Sequence, residues 1–369
     1  MSEYFIGLIS GTSMDGVDAA LVEFGESGMN VVCAKCVPYP DDAWRRLREV
    51  IERPDAAPLD ELGELDTLLG GCFARAALYV LDESGLKASD IAGIGSHGQN
   101  LRHRPDAHYP FSWQGGNPNV IAAETKITTV ADFRSRDVAL GGQGAPLTPA
   151  FHQAIFSIGD ECRVVLNIGG IANVTVLPKV GPVQGFDTGP GNSLMDIWIC
   201  DHQGLPMDRD GAWAASGSVH AGLLYLFKND PYFGQAPPKS TGREYFNRLW
   251  LGHLLGHIDP APDPADVQAT LCELTAQTIS DCTAQYAADA ERVLVCGGGV
   301  HNAHLMQRLD ALMPKPAVET TARYGLDPDW VEATAFAWLA RRTLRGETGN
   351  LITVTGASES AVLGAVFHA

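Results

Sequence analysis

A strand–turn–strand pattern that occurs twice most constrains the fold of this 369-residue chain. In residues 4–24, an apolar run enters a turn of Gly, Ser, Thr and Asp, and a second apolar run leaves it. Residues 163–177 repeat this plan, with Gly169 and Gly170 in the turn. Such runs are typical of β-hairpins. Two copies half a chain apart predict a duplicated fold that holds a nucleotide between its halves.

The first turn has the composition of an anion-binding loop. Gly11 and Gly16 permit backbone conformations that other residues avoid, and the Thr–Ser pair between them adds hydroxyl donors. Asp15 and Asp18 would repel a bare phosphate, so the loop favours a phosphate that is accompanied by a divalent cation. An ordinary turn uses the same residue types, and for this loop alone that interpretation stays open.

The length of the chain predicts two lobes, because a single core usually stops growing at ~250 to 300 residues. The composition changes in a Gly-rich stretch between Asp132 and Pro149. We therefore expect a first lobe of residues 1–132, completed by the tail at about 350–369. We expect residues 133–349 to form the second lobe.

Composition excludes several classes of function. The chain carries 26 Lys and Arg against 44 Asp and Glu, a net charge of −18, which argues against partners such as nucleic acid or an anionic membrane. No run of ~18 apolar residues suggests a membrane span. The 8 cysteines are scattered and indicate a reducing cytoplasm, and no dense His or Cys cluster predicts a protein-held metal.

A second glycine-rich turn follows a later apolar strand. Residues 292–296 predict a strand that leads into Gly297, Gly298 and Gly299 and then a helix. Glycines allow a ligand to approach the backbone, and a helix start offers unpaired N–H groups. The run misses the spacing of a dinucleotide fingerprint, so it predicts a contact with adenosine rather than an oxidoreductase.

Asp187 is the residue that the sequence singles out for chemistry. It follows an apolar strand and precedes two glycines, so its carboxylate could be held at a cleft and act as a general base. The alternative is an Asp that caps the helix predicted from Ser193 or closes a turn. The residues alone leave both interpretations open.

The chain resembles the anhydro-N-acetylmuramic acid kinase family over nearly its whole length. The motifs that carry this resemblance are GLISGTSMDGVDAAL (7–21), IGSHGQ (94–99), ADFRSRDVALGGQGAPL (131–147), LNIGGIANVT (166–175), GFDTGPGN (185–192), DRDGAWAASG (208–217), PKSTGRE (238–244) and LVCGGG (294–299).

This resemblance implies a two-lobed, actin-like ATPase (ribonuclease H-like) α/β fold, with a duplicated mixed-sheet core and a central cleft. It also implies a cytoplasmic homodimer that acts in peptidoglycan recycling. The family opens the ring of 1,6-anhydro-N-acetylmuramic acid with water and transfers the γ-phosphoryl group of ATP, used with Mg²⁺, to O6.

The resemblance also assigns roles to residues. It implies that Asp187 is the general base, and that the sugar contacts His97, Gly98, Arg134 and Glu332. The residues that it implies for ATP are Gly11, Thr12, Ser13, Met14, Asp15, Gly16, Val17 and Asp18 in the first turn, Gly169, Gly170 and Asn173 in the second, and Gly297, Gly298 and Gly299 at adenosine.

Two other functions remain to be distinguished from this one. A nucleotide-gated interaction protein would bind ATP without turnover that depends on a sugar. A kinase of the same fold could instead phosphorylate a different sugar or acid.

Overall fold

The computed structural model describes residues 2–11, 14–26, 28–52 and 58–369. It divides into two compact units, Met1–Phe151 with Trp330–Ala369, and His152–Asp329. The first unit therefore combines two separate stretches of chain, whereas the second is continuous. This division differs from the expected one, because residues 133–151 and 330–349 group with the first unit.

The strands are β1 Glu3–Ser10, β2 Gly16–Gly25, β3 Gly28–Pro38, β4 Ile91–Arg104, β5 Phe111–Gly115, β6 Thr129–Ala131, β7 Arg163–Ile168, β8 Ile171–Leu177, β9 Gln184–Pro190, β10 Arg292–Cys296, β11 Ala317–Thr320 and β12 Ala365–Phe367.

The α-helices are α1 Asp41–Glu52, α2 Leu59–Ser84, α3 Pro118–Thr125, α4 Ser135–Ala139, α5 Thr148–Phe156, α6 Ser193–Gln203, α7 Ala212–Ser216, α8 Ala221–Lys228, α9 Arg248–Leu255, α10 Pro264–Tyr286, α11 Ala303–Leu312, α12 Val331–Leu344 and α13 Ile352–Thr355. Short 3-10 helices cover Ala88–Asp90, Arg209–Gly211, Pro231–Gly234, Gly298–His301, Thr321–Tyr324 and Pro328–Trp330.

The sheets of the two units have the same arrangement. In the first unit the order is β3-β2-β1-β4-β6, with β12 beyond β6 and β5 paired with β4. Its first three strands are antiparallel, β4 runs parallel to β1, and β6 runs parallel to β4. In the second unit the order is β9-β8-β7-β10-β11, with the same sequence of antiparallel and parallel pairs. The predicted hairpins and the duplicated mixed-sheet α/β fold are thereby confirmed.

Helix α12 lies unusually close to the first sheet. Gly7 of β1 and Gly95 of β4 are neighbours in register. A Cβ atom at Gly7 would overlap the carbonyl oxygen of Ala333, and one at Gly95 would overlap that of Phe336. Only glycine at these two strand positions lets the helix backbone approach so closely. This contact explains why residues 330–349 belong to the first unit.

Two strands extend further than their apolar residues indicate. The apolar run 91–94 continues as β4 to Arg104, because Gly98 takes a φ of +76° and residues 99–104 then pair with β5. Likewise, Asp187 does not follow a strand but lies within β9, where it pairs with Asn173 of β8. Polar residues inside a strand hide its length when hydrophobicity is the only signal.

We expect Gly7→Ala to lower the free energy of unfolding by about 3 kcal/mol or more, because a Cβ there forces α12 off the sheet. Gly63→Ala is the matched control, since Gly63 lies in exposed helix with open space around it. It should raise stability by about 0.5–1 kcal/mol. Urea unfolding checks both, and a Gly7→Ala protein as stable as the parent would contradict the close packing.

Candidate functional site

The turn between β1 and β2 brings two carboxylates towards one thiol. Burial raises the pKa of Cys36 to about 12, and the negative charges of Asp18 and Asp15 add to this effect. The Ser10 hydroxyl donates a hydrogen bond to the carbonyl oxygen of Gly16 at 2.7 Å, which closes the base of the turn. The turn thus concentrates negative charge on oxygen atoms, as a site for a hard divalent cation requires.

Other predicted residues of this turn have structural constraints of their own. The Val17 side chain is buried in the core, so only its backbone could reach a ligand. A Cβ at Gly16 would lie 2.5 Å from the carbonyl oxygen of Val37, which ties this glycine to β3. Met14 takes a φ of +57°, and its N–H donates to the Gly11 carbonyl oxygen at 3.3 Å. Predicted positions 12 and 13 lie outside the described residues.

The turn between β7 and β8 packs against the start of α6. The carbonyl oxygen of Gly170 accepts hydrogen bonds from the N–H groups of Gly191 and Ser193, at 2.9 and 3.1 Å. The carbonyl oxygen of Gly169 accepts one from the N–H of Asn192 at 2.9 Å. This turn and the helix start therefore form one rigid element of the second unit.

The three glycines after β10 have different surroundings. Gly297 has a φ of +79°, and a Cβ there would overlap Oδ1 of Asn167. A Cβ at Gly299 would overlap the Ile168 side chain. Gly298 is exposed, and an added Cβ would meet no atom within 4 Å. The outer two glycines hold the turn against β7, and the middle one leaves the backbone open to a ligand.

Asp187 is half-buried and held at both its backbone and its side chain. Its N–H donates to the carbonyl oxygen of Lys239 at 3.1 Å, and its Oδ2 accepts a hydrogen bond from the N–H of Thr241 at 2.9 Å. Its carbonyl oxygen accepts the Tyr232 hydroxyl at 2.7 Å. Among the described residues, Oδ1 has no hydrogen-bond donor. One oxygen is thus anchored, and the other can receive a proton.

Burial raises the pKa of Asp187 to about 7. The hydrogen bond from Thr241 and the charge of Lys239 oppose this rise, and the charge of Glu244 adds to it. A carboxylate with a pKa near neutral pH is a far better proton acceptor than an ordinary Asp. The geometry does not support the capping alternative, because the Asp187 carboxylate accepts from Thr241 and not from the start of α6.

A second polar group lies in the first unit and contains three of the residues predicted for the sugar. The Nε2 atom of His97 accepts hydrogen bonds from Nε and Nη2 of Arg134, at 3.0 and 2.8 Å. The Nδ1 atom of His97 donates to the carbonyl oxygen of Gly98 at 2.9 Å. A ring that accepts at one nitrogen and donates at the other is a neutral imidazole.

Electrostatics keep the charge of this group on Arg134. Burial, helped by the charge of Arg134, lowers the pKa of His97 to about 3. Burial lowers the pKa of Arg134 to about 10, against the opposing charges of Glu332 and Asp137. Burial also raises the pKa of Glu332, which Arg134 partly offsets. At neutral pH, His97 is therefore an uncharged acceptor beside a guanidinium that retains its proton.

The loop that carries Arg134 is fixed by the buried carboxylate of Asp137. Asp137 accepts hydrogen bonds from the Gly144 N–H at 2.8 Å, the Asn350 side chain at 2.8 Å and the Thr355 hydroxyl at 2.7 Å. The Gly144 carbonyl oxygen in turn accepts Nη1 of Arg134 at 2.6 Å. Asp137 thus positions Arg134 indirectly.

Sequence reasoning missed several residues around Asp187. Tyr232 and Lys239 bind the backbone of Asp187 and Thr241 binds its carboxylate, although all three follow it in the chain by 45 or more residues. The only signal was the motif PKSTGRE (238–244), which carries the resemblance but was not connected with Asp187. Asp196 on α6 was also missed, and burial raises its pKa to about 7.

Within the described ranges, no three His, Cys, Asp or Glu residues are grouped as metal ligands would be. Likewise, no helix in the described part of the chain has both the length and the apolar character needed to cross a membrane.

Comparisons with known proteins agree along the whole chain. A family model described as anhydro-N-acetylmuramic acid kinase matches residues 3–369. A protein of that name from Xanthomonas axonopodis pv. citri is 50% identical, with 100% of this chain and 99% of the relative covered. Another from Photobacterium profundum is 49% identical, with 100% of this chain and 99% of the relative covered.

Two solved structures match most of this chain at low sequence identity. The (R)-2-hydroxyglutaryl-CoA dehydratase component A of Acidaminococcus fermentans has a TM-score of 0.49 at 11% identity, over 91% of this chain and 96% of the other. A ROK hexokinase from Thermus thermophilus has a TM-score of 0.37 at 14% identity, over 92% of this chain and 100% of the other.

We expect Gly297→Ala and Gly298→Ala to behave differently, although the two glycines are adjacent. Gly297→Ala should lower the unfolding midpoint, because the new methyl group overlaps Asn167. Gly298→Ala should fold normally and weaken ATP binding if the open backbone there contacts the nucleotide. Urea unfolding and ATP titration by calorimetry measure the two effects. Normal ATP affinity in Gly298→Ala would argue against a nucleotide contact at that position.

Proposed function

This chain belongs to the anhydro-N-acetylmuramic acid kinase family, and we propose that Asp187 is the base that activates water in its reaction. The enzyme is a phosphotransferase that converts 1,6-anhydro-N-acetylmuramic acid, water and ATP to N-acetylmuramic acid 6-phosphate and ADP. This activity serves peptidoglycan recycling and amino sugar catabolism. The observation that carries the proposal is the half-buried Asp187 carboxylate, whose pKa of about 7 suits proton transfer at neutral pH.

The bond changes define what the base must do. A water oxygen attacks carbon one of the sugar while the bond from that carbon to O6 breaks. One water proton goes to Asp187, and the other stays on the new hydroxyl group. The released O6 attacks the γ-phosphorus of ATP, and the bond to the β,γ-bridging oxygen breaks, so that ADP leaves. The proton on Asp187 then passes to solvent.

The geometry of Asp187 supports this role. Thr241 fixes Oδ2, so the carboxylate cannot rotate freely and Oδ1 has a defined direction. A base must lie within hydrogen-bond reach of the proton that it takes, and a fixed oxygen meets this need better than a mobile one. Asn173 is the cross-strand partner of Asp187 and adds a neutral polar side chain beside it.

We propose that the turns bind ATP, each through the groups described for its own unit. In the first unit, the turn 11–18 would bind phosphate through backbone N–H groups, and the carboxylates of Asp15 and Asp18 would hold the Mg²⁺ that accompanies the nucleotide. Mg²⁺ prefers oxygen donors and, when bound, neutralises phosphate charge. In the second unit, Gly169, Gly170 and Asn173 form a phosphate turn, and the turn 297–299 contacts adenosine.

We propose that His97, Gly98, Arg134 and Glu332 bind the sugar. Arg134 supplies a half-buried positive charge for the lactyl carboxylate, which a chain with a net charge of −18 would otherwise repel. Neutral His97 orients the guanidinium without competing for the anion. We further propose that the enzyme works as a homodimer in the cytoplasm, in line with its family and its acidic composition.

We expect Asp187→Asn to reduce sugar-dependent ADP release by about 10²–10⁴-fold, because an amide cannot accept the water proton. ATP affinity should stay unchanged. Turnover in H₂¹⁸O followed by mass spectrometry would show one ¹⁸O atom in the parent enzyme's product, at carbon one. A variant with near-normal turnover would remove Asp187 from the mechanism, and ATP binding with no sugar-dependent turnover in the parent would indicate an interaction protein.

The pKa of Asp187 also predicts how pH affects the enzyme. The log of kcat/KM should fall with a slope of one as the pH drops below about 7, since the base becomes protonated. Stability should show the opposite trend. A pKa raised by folding contributes stability that is full below the ordinary Asp value and is lost as the pH rises through 7. Asp187→Asn should remove that loss in urea unfolding at pH 5 and pH 8.

We expect Arg134→Met to raise KM for the anhydro sugar at least tenfold, with a smaller change in KM for ATP, because the carboxylate loses its charged partner. Arg136→Met is the control, since Arg136 lies two residues away on α4 and is exposed. It should leave both KM values unchanged. Equal sugar KM values in the two variants would rule out the proposed role of Arg134.

A further inference from the structure

The segment Lys239–Glu244, which we call the strap, lies along β9 at the position of Asp187. It binds the backbone of this strand through the Lys239 carbonyl oxygen, and it binds the Asp187 carboxylate through the N–H of Thr241. A main-chain contact and a side-chain contact two residues apart fix both the position and the rotation of Asp187. The strap therefore helps to orient this carboxylate.

The strap also carries a buried ammonium group that is connected to Asp187 through Tyr232. Lys239 is only 8% exposed, and its Nζ lies 4.7 Å from the centre of the Tyr232 ring. The same Nζ donates to the Tyr232 carbonyl oxygen at 3.4 Å. The Tyr232 hydroxyl in turn donates to the Asp187 carbonyl oxygen. Burying the charge of a lysine costs free energy unless another group stabilises that charge.

The other end of the strap has the opposite charge. Glu244 is exposed, and its negative charge acts on Asp187 against that of Lys239. The strap also carries Arg243, whose positive charge acts on Asp196 of α6. Two groups without charge lie at this place, the Tyr232 phenol from the 3-10 helix Pro231–Gly234 and the Cys282 thiol of α10, which lies near Lys239. Both are neutral at pH 7, because burial raises the pKa of each.

We propose that Lys239 and Glu244 are positioning residues of opposite charge that set the fraction of Asp187 able to accept a proton. The role of this fraction in turnover rests on Asp187 being the base, as proposed above. Lys239 favours the carboxylate and Glu244 favours the carboxylic acid, so each moves the protonation of Asp187 in its own direction.

The two residues are expected to have opposite effects when neutralised. Lys239→Met removes a positive charge, so the acidic limb of the kcat/KM profile should move to higher pH. Glu244→Gln removes a negative charge, so that limb should move to lower pH. We expect the ratio of kcat/KM at pH 6 to its plateau value to be roughly threefold lower in the first variant than in the parent. In Glu244→Gln the same ratio should rise, by a smaller factor. This effect should shrink at high salt, because Glu244 is exposed.

Two further variants separate charge from structure. Lys239→Arg keeps the charge and the contact with the ring, so it should restore the parent profile. Lys228→Met is the control for loss of a lysine, since Lys228 pairs with Asp281 and Gln277 and not with Asp187. It should leave the acidic limb in place. A merely structural role for Lys239 would change the plateau of kcat/KM and not the position of its limb.

A direct titration keeps this proposal distinct from the role of Asp187 itself. Carbon-13 NMR of the Asp side-chain carboxyls, assigned by the signal lost in Asp187→Asn, reports the pKa of Asp187 without turnover. If Asp187→Asn stays active, the assignment of the base fails, while the NMR shifts still test the strap. If neither Lys239→Met nor Glu244→Gln moves the Asp187 signal, the strap proposal is overturned. Should Lys239→Met fail to fold, Glu244→Gln decides alone, and an unmoved signal is the overturning result.

Discussion

The close contact of α12 with β1 and β4 is the constraint on which the first unit depends. Because Gly7 and Gly95 have no side chains, the helix backbone lies directly on the sheet. The same helix brings Glu332 in its first turn to the charge of Arg134, and it brings the Phe336 ring to within 4.7 Å of the His97 ring. The helix that packs on these glycines therefore also places Glu332 near Arg134 and Phe336 near His97.

In the second unit, a loop and a tyrosine, and not a helix packed on glycines, position the polar side chain. Here the carboxylate of Asp187, the proposed base, lies inside β9, the strand at the edge of the sheet. Its surroundings come from the strap and from Tyr232, which together replace the neighbour that β9 lacks on its outer side. Partial burial by these few groups, and not a strong charge pair, gives the Asp187 carboxylate its basic character.

Sequence reasoning predicted the duplicated hairpins because apolar runs and glycine turns are local signals. It also placed the strand Arg292–Cys296 and the helix that begins near Ala303. It put Asp187 outside its strand, because polar residues within a strand resemble those of a loop. The partners of Asp187 come from far along the chain, and without coordinates no periodicity connects residue 187 with residue 241. The sequence also could not predict that the three adjacent glycines at 297–299 have different surroundings, since these depend on packing against β7.

The discontinuity of the first unit has a consequence for biosynthesis. A ribosome completes residues 152–329 before it makes α12, so the continuous second unit can fold while the first still lacks its covering helix. Until residues 331–344 emerge, the glycine-lined face of β1 and β4 has no helix to bury it. The nascent chain therefore holds an exposed apolar sheet late in translation, which is the kind of surface that chaperones bind.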